Sequence, residues 1–102
     1  MTAQLLIHER QPLAVGLFKE VKVWRLPEPV AGCAHLYKYR LALVANDRCV
    51  LRYGNERGKG DHKHIGDAEA PMTFTDLATL LADFHRDIRL WRRSHEQADD
   101  SC

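Results

Sequence analysis

What this chain lacks narrows its roles before any motif is read. Its three cysteines, Cys33, Cys49 and Cys102, fall in no CxxC or paired spacing. That argues against a disulfide framework and against a zinc ribbon. Cys49 lies in an apolar strand pattern and is expected to be a small buried hydrophobe, while Cys102 is expected to be free. No apolar run approaches the ~20 residues needed to span a bilayer. The Leu5-Leu6-Ile7 stretch is too short for a signal-peptide core and follows no basic start, so a cytoplasmic location without membrane contact is expected. Internal repeats and interdomain linkers are also missing.

What remains is one small domain. The 102 residues are 45% hydrophobic and 28% charged, the profile of a globular chain with a single core. The net charge is only +1, but it is unevenly spread. Residues 96–102 hold Glu96, Asp99 and Asp100 with no Lys or Arg, and read as an acidic, disordered tail. Residues 1–95, the expected folded domain, then carry 15 basic against 11 acidic side chains, a net +4. Seven Lys or Arg and three acids lie within residues 35–65. This bias permits a phosphate-bearing partner without demanding one.

Periodicity supplies the scaffold. Residues 3–10 and 18–26 read as strands, the second with Val21 and Val23 alternating with charge. Pro27 and Pro29 end it. On residues 35–45 one face carries Tyr37, Tyr39, Leu41, Leu43 and Ala45, and the other Lys38 and Arg40. On residues 48–54, Cys49, Leu51 and Tyr53 alternate with Arg48, Val50 and Arg52. Asn46-Asp47 marks the turn between them. A two-residue loop would set Leu41 on the same face as Arg52. A three-residue loop, Asn46-Asp47-Arg48, pairs Ala45 with Cys49 and Leu43 with Leu51, and keeps the apolar faces together. The odd loop is therefore expected. Met72 and Phe74 suggest a short extended entry to a helix over roughly 75–94, with Thr75 as N-cap and Asp76 at the positive end of the dipole. Leu77, Leu80, Leu81, Phe84, Ile88 and Trp91 form its apolar stripe. The expected fold is α+β: a four- to five-stranded antiparallel sheet packed by a C-terminal amphipathic helix. The other sheet face would carry Lys38, Arg40 and Arg52.

Between hairpin and helix lies Gly58-Lys59-Gly60-Asp61-His62-Lys63-His64-Ile65-Gly66, in which only Ile65 is apolar. Glycines here let the backbone approach a ligand, and exposed amides with Lys59 and Lys63 could cradle an anion. The GxxxxGK[ST] spacing of a nucleotide-binding loop is missing. His62 and His64 are two apart, so an extended backbone points both rings to one side, with Asp61 and Lys63 on the other. One histidine as base, the other as acid and a lysine at the phosphate make up the toolkit of metal-independent RNA cleavage. A divalent metal held by the HxH pair with Asp61 or His35 is the weaker alternative, because further ligands are unidentified. From composition alone, a solvated connector is as good a reading as a site. Tyr37, Tyr39 and Tyr53 could stack on bases, but core packing suits their face better.

Several segments are together similar to one known family. These are Tyr39-Arg40-Leu41-Ala42-Leu43-Val44, Cys49-Val50-Leu51-Arg52-Tyr53, Gly58–Gly66, and Leu80-Leu81-Ala82-Asp83-Phe84 ending in Asp87-Ile88. They resemble the TumE family of small bacterial toxins from two-gene toxin–antitoxin systems, over roughly residues 35–90 and most densely in the glycine–histidine loop. The resemblance implies a growth-inhibiting toxin of a type II system, neutralised by an antitoxin protein, expected to be of helix-turn-helix type. Action on RNA is expected by analogy with other small basic toxins. The catalytic set is then His62, His64, Lys59 and Lys63, with Gly58, Gly60, Asp61, Arg40 and Arg52 contacting substrate or phosphate. No cofactor and no metal is assigned, and a homodimer is left open. The alternative is a non-catalytic module that binds nucleic acid or protein with the same basic surface.

Overall fold

A computed structural model describes the backbone of residues 2–100 and the side chains of residues 2–95. Six strands form one antiparallel meander: β1 (Gln4–Ala14), β2 (Leu17–Arg25), β3 (Tyr37–Ala45), β4 (Arg48–Gly54), β5 (His62–Ile65) and β6 (Ala68–Pro71). The helix α1 (Leu77–Asp100) follows. The α+β class and the antiparallel sheet match expectation, but the sheet has six strands, not four to five. Half of the segment read as a loop is β5, and residues 68–71 pair with it through a turn at Gly66-Asp67. Polar residues can build these strands because β5 needs to bury only one of its faces.

The helix stripe covers one sheet face. Leu80, Phe84 and Ile88 pack with Val21, Val23, Tyr39, Leu41, Leu43, Leu51 and Tyr53. The Phe84 and Tyr53 rings meet edge to face, 5.5 Å between centroids. Asp76, not Thr75, caps the helix: its Oδ1 accepts the Thr79 amide at 2.7 Å, and that bond holds the Asp76 carboxyl below its ordinary value. The helix runs past the expected end at residue 94 to Asp100. Ser101 and Cys102, on which part of the tail expectation and the free thiol rested, lie outside the described residues.

The β3–β4 hairpin reconciles two readings that seemed exclusive. Asn46 and Asp47 both take positive φ, 50° and 67°, and form a two-residue turn that pairs Ala45 with Arg48. A bulge between Val44 and Leu43 then skips Val50 and restores Leu43 opposite Leu51 and Leu41 opposite Tyr53. The expected Ala45–Cys49 pairing is therefore replaced by Val44–Cys49. Cys49 moves to the outer face and is exposed rather than buried. The hydrophobic pattern set the register where burial rewards it, and the turn set it at the tip.

The edges are blunted. Strand β1 pairs on one side only and carries register shifts at Leu6 and Leu13 as well as Pro12. Strand β6 has four residues and ends on Pro71.

Candidate functional site

Strand alternation divides the glycine–histidine segment between two sheet faces. On the face away from the helix, lateral registry makes two rows. The first runs Lys22, Arg40, Gly54, His62, and the second Ala42, Arg52, His64, Glu69. His62 and His64 are thus neighbours on one face, with ring centroids 5.3 Å apart and planes at 80°. Arg40 and Arg52 share that face. Lys63 and Asp61 do not.

His62 is held from both sides. Its Nδ1–H donates to the Gly60 carbonyl at 3.0 Å, which fixes the ring orientation. Its Nε2 lies 2.9 Å from Glu56 Oε2, but out of line for a directed hydrogen bond, so that contact is electrostatic. The Glu56 carboxylate folds back over Gly54 beside His62: a Cβ at residue 54 would be in ordinary van der Waals contact with it, 3.4 Å from Oε1. His62 ends up 3% exposed. Burial by itself would raise the Glu56 carboxyl. A hydrogen bond from its own backbone and the charges of His62, Arg52 and Lys59 outweigh burial and hold it below its ordinary value.

His64 has a different environment. Arg52 Nη2 lies 3.1 Å from His64 Nε2. A guanidinium can only donate, so this nitrogen is the acceptor and its lone pair points at Arg52. Glu69 Oε1 on β6 is 3.7 Å from the same atom. Arg52 Nε is buried with no partner. The guanidinium is therefore incompletely satisfied, which suits a group that another acceptor could recruit.

The remaining expected site residues are placed elsewhere. Lys63 faces the helix, its Nζ 3.4 Å from Asp87 Oδ2 and 5.7 Å from the centre of the Tyr53 ring. Asp87 also accepts the Tyr53 hydroxyl, and burial followed by this bond pushes the Tyr53 phenol well above its ordinary value. Asp61 turns inward, accepting the Tyr39 hydroxyl at 2.5 Å and facing His35 Nε2 at 2.9 Å. The His35 Nδ1 accepts the Tyr37 amide, and Phe74 stacks on the ring at 3.8 Å. Cys33 lies beside this cluster, its thiol pushed up by burial and then by the Asp61 charge, which leaves it a poor nucleophile. Asp61 and His35 are therefore grouped with Cys33, while His62 and His64 are grouped with Glu69. The ligand set weighed from sequence is split between the two groups.

The glycine loop is built rather than open. The Gly58 amide donates to the Ala31 carbonyl at 2.7 Å, and the Lys59 amide to the Glu56 carbonyl at 3.0 Å. Those amides are spent on the protein, so an anion cradle of successive amides has lost two of its donors. Gly60 and Gly32 meet backbone to backbone: a Cβ at residue 32 would stand 3.2 Å from the Gly60 nitrogen. Lys59 is exposed and contributes to the field at Glu56. Glu56 and Glu69 were missed in the sequence. Gly54, two residues before Glu56, was the available hint for the first. The second had none while residues 68–71 were not read as a strand.

A family model described as Toxin TumE matches residues 4–92. The chain belongs to the TumE toxin family. The match extends the similarity well beyond residues 35–90 and takes in β1, β2 and the site face. No curated protein and no solved structure matches significantly. Membership of the TumE family carries a toxin role and, in general, an antitoxin as partner. Among the described residues of this TumE-family chain, no helix is long and apolar enough to cross a membrane.

Proposed function

We propose that this toxin belongs to a type II pair, works in the cytoplasm and inhibits growth by cleaving RNA on the outer face of β4 and β5. The observation that carries this reading is the line Arg52–His64–His62, a guanidinium beside two imidazoles in unlike surroundings. An RNA phosphate would recruit the Arg52 guanidinium, with Arg40 and Lys59 supporting it, and so release the His64 lone pair. His64 Nε2 then takes the proton of the ribose 2′-hydroxyl, whose oxygen attacks phosphorus. His62, once Glu56 swings aside, delivers a proton from Nε2 to the departing 5′-oxygen as the P–O bond breaks. The products are a 2′,3′-cyclic phosphate and a 5′-hydroxyl. Lys63 and Asp61 have structural roles in this scheme, since both side chains are engaged on the helix side.

The test is purified protein with cellular RNA in the presence of a metal chelator, with end-group analysis of the products. Wild type is expected to leave cyclic phosphate ends, and His64→Ala and Arg52→Ala to abolish cleavage while keeping wild-type circular dichroism. Full cleavage by His64→Ala would remove the site assignment. Absence of cleavage by wild type would sink the reaction and favour a toxin that binds without cutting. Co-expression with the adjacent open reading frame tests the pair: restored growth is expected if that frame encodes the helix-turn-helix antitoxin.

A further inference from the structure

We infer that His62, His64 and Glu69 form a transition-metal site, selective for Zn²⁺-like ions, on the outer face of the sheet. One ring nitrogen of His62, one of His64 and a Glu69 carboxylate oxygen all lie within 4.8 Å of one another, and His64 Nε2 is 3.7 Å from Glu69 Oε1. Two imidazoles and a carboxylate are a donor set that zinc accepts, with donors about 3.3 Å apart when bonds are near 2.0–2.1 Å. Glu69 sits on the short edge strand with its side chain 47% exposed, so it is free to close in.

The second observation is His62 itself. Its side chain is 4% exposed, yet Nε2 has no directed hydrogen bond and meets only the Glu56 carboxylate, 2.9 Å away. The Nδ1–H bond to the Gly60 carbonyl is the outer-sphere contact that metal-ligating histidines characteristically make, fixing the tautomer and presenting Nε2 as the ligand. Glu56 Oε2, already 2.9 Å from that nitrogen, is in position to supply a fourth donor. The other donor group, Cys33, His35 and Asp61, lacks this character. Both His35 nitrogens are engaged, Asp61 accepts from Tyr39, and Cys33 receives an Asn55 N–H at 3.6 Å.

Arg52 is the built-in competitor. It occupies the His64 lone pair that the ion would take, so binding displaces the guanidinium. A bound ion also takes the His64 lone pair that the proposed cleavage uses as base, and the His62 Nε2 position from which that scheme delivers its proton. The site is then a brake on the reaction rather than a cofactor centre.

The experiment titrates Zn²⁺ into the full chain against a chromophoric chelator, and follows Co²⁺ binding by visible absorption, with no RNA present. The result thus stands apart from the cleavage reading. One equivalent is expected, with a cobalt spectrum lacking thiolate charge transfer. His64→Ala and Glu69→Gln should each weaken binding at least ~10-fold, the loss that even an outer-sphere partner brings. Arg52→Met should tighten it, and Cys33→Ala should leave it unchanged. No binding by wild type, indifference to His64→Ala and Glu69→Gln, or loss on Cys33→Ala would each overturn the site. His62→Ala is a poor probe because the ring is buried. Glu69 and His64, being more exposed, keep the test independent of folding.

Discussion

The Asp61 carboxylate accepts the Tyr39 hydroxyl at 2.5 Å, so the residue that leads into β5 is tied to β3 through a hydrogen bond from a buried phenol. The same carboxylate faces His35. Tyr39 is 3% exposed, and losing its partner strands a buried hydroxyl. Asp61→Ala should cost about 1–3 kcal/mol in urea unfolding. Burial, followed by the Asp61 bond and charge, raises the Tyr39 phenol in the folded protein. A raised folded value contributes stability that is complete below the unfolded tyrosine value of about 10 and declines as pH rises above it. Tyr39→Phe should flatten part of that alkaline decline. An alkaline limb identical to wild type would show that the bond contributes nothing.

Lys63 and Asp87 separate scaffold from site. Lys63 lies on the helix side with Asp87, which also accepts the Tyr53 hydroxyl. Asp87→Ala removes the acceptor of a phenol that is 1% exposed, and should cost about 1.5–3 kcal/mol. Lys63→Met should cost no more than ~1 kcal/mol, since its partly exposed head gains little from the pair. Both variants are expected to retain RNA cleavage at temperatures where they stay folded. A Lys63→Met protein that is stable but inactive would return Lys63 to the catalytic set.

Much of the scaffold was legible because apolar residues recur at strand and helix periods in β2, β3, β4 and α1. The alternation of His62 and His64 against Lys63 was legible for the same reason, and the structure places the two histidines together on one face. What the period could not reveal was distance along the outer face. Glu56 reaches His62 by folding over a glycine, and Glu69 reaches His64 through a strand of four exposed residues with no apolar signature. Asp61 and Lys63 read as site residues because they are polar, yet each has a buried partner on the helix side. Composition identifies the segment, but only registry says which face each side chain serves.

The β3–β4 tip offers a test of how turn and core share control of register. Asp47 holds φ at 67°, a region that costs a non-glycine residue, whereas glycine enters it freely. Asp47→Gly should stabilise by up to about 1 kcal/mol, read as a higher urea midpoint at unchanged slope. Deleting Val50, the bulged residue, removes the skip without moving Leu51 from opposite Leu43. That deletion should leave a folded protein. Deleting Ala42 in β3 should not, because it turns every following side chain to the wrong face. Equal damage from the two deletions would refute this account of the bulge.

The contact between Lys19 and His85 predicts an acid limb to stability. Lys19 Nζ lies 2.9 Å from His85 Nε2 and 3.3 Å from Glu9 Oε1. An ammonium can only donate, so the His85 nitrogen accepts and the ring is neutral in this contact. Burial lowers the His85 value in the folded protein, and the Lys19 charge lowers it further, with Glu9 opposing. A histidine depressed on folding contributes stability that is complete above the unfolded value of about 6.5 and is lost as pH falls through the folded value. Glutamine keeps an acceptor for Lys19 but cannot titrate. Thermal unfolding followed from neutral pH down to about pH 5 should therefore show Tm falling more steeply in wild type than in His85→Gln. The curves should converge toward the acid end if the glutamine loses packing, and should start together near neutral pH and part below it if it does not. Parallel curves throughout that range would mean that His85 feels no net field from Lys19 and its surroundings.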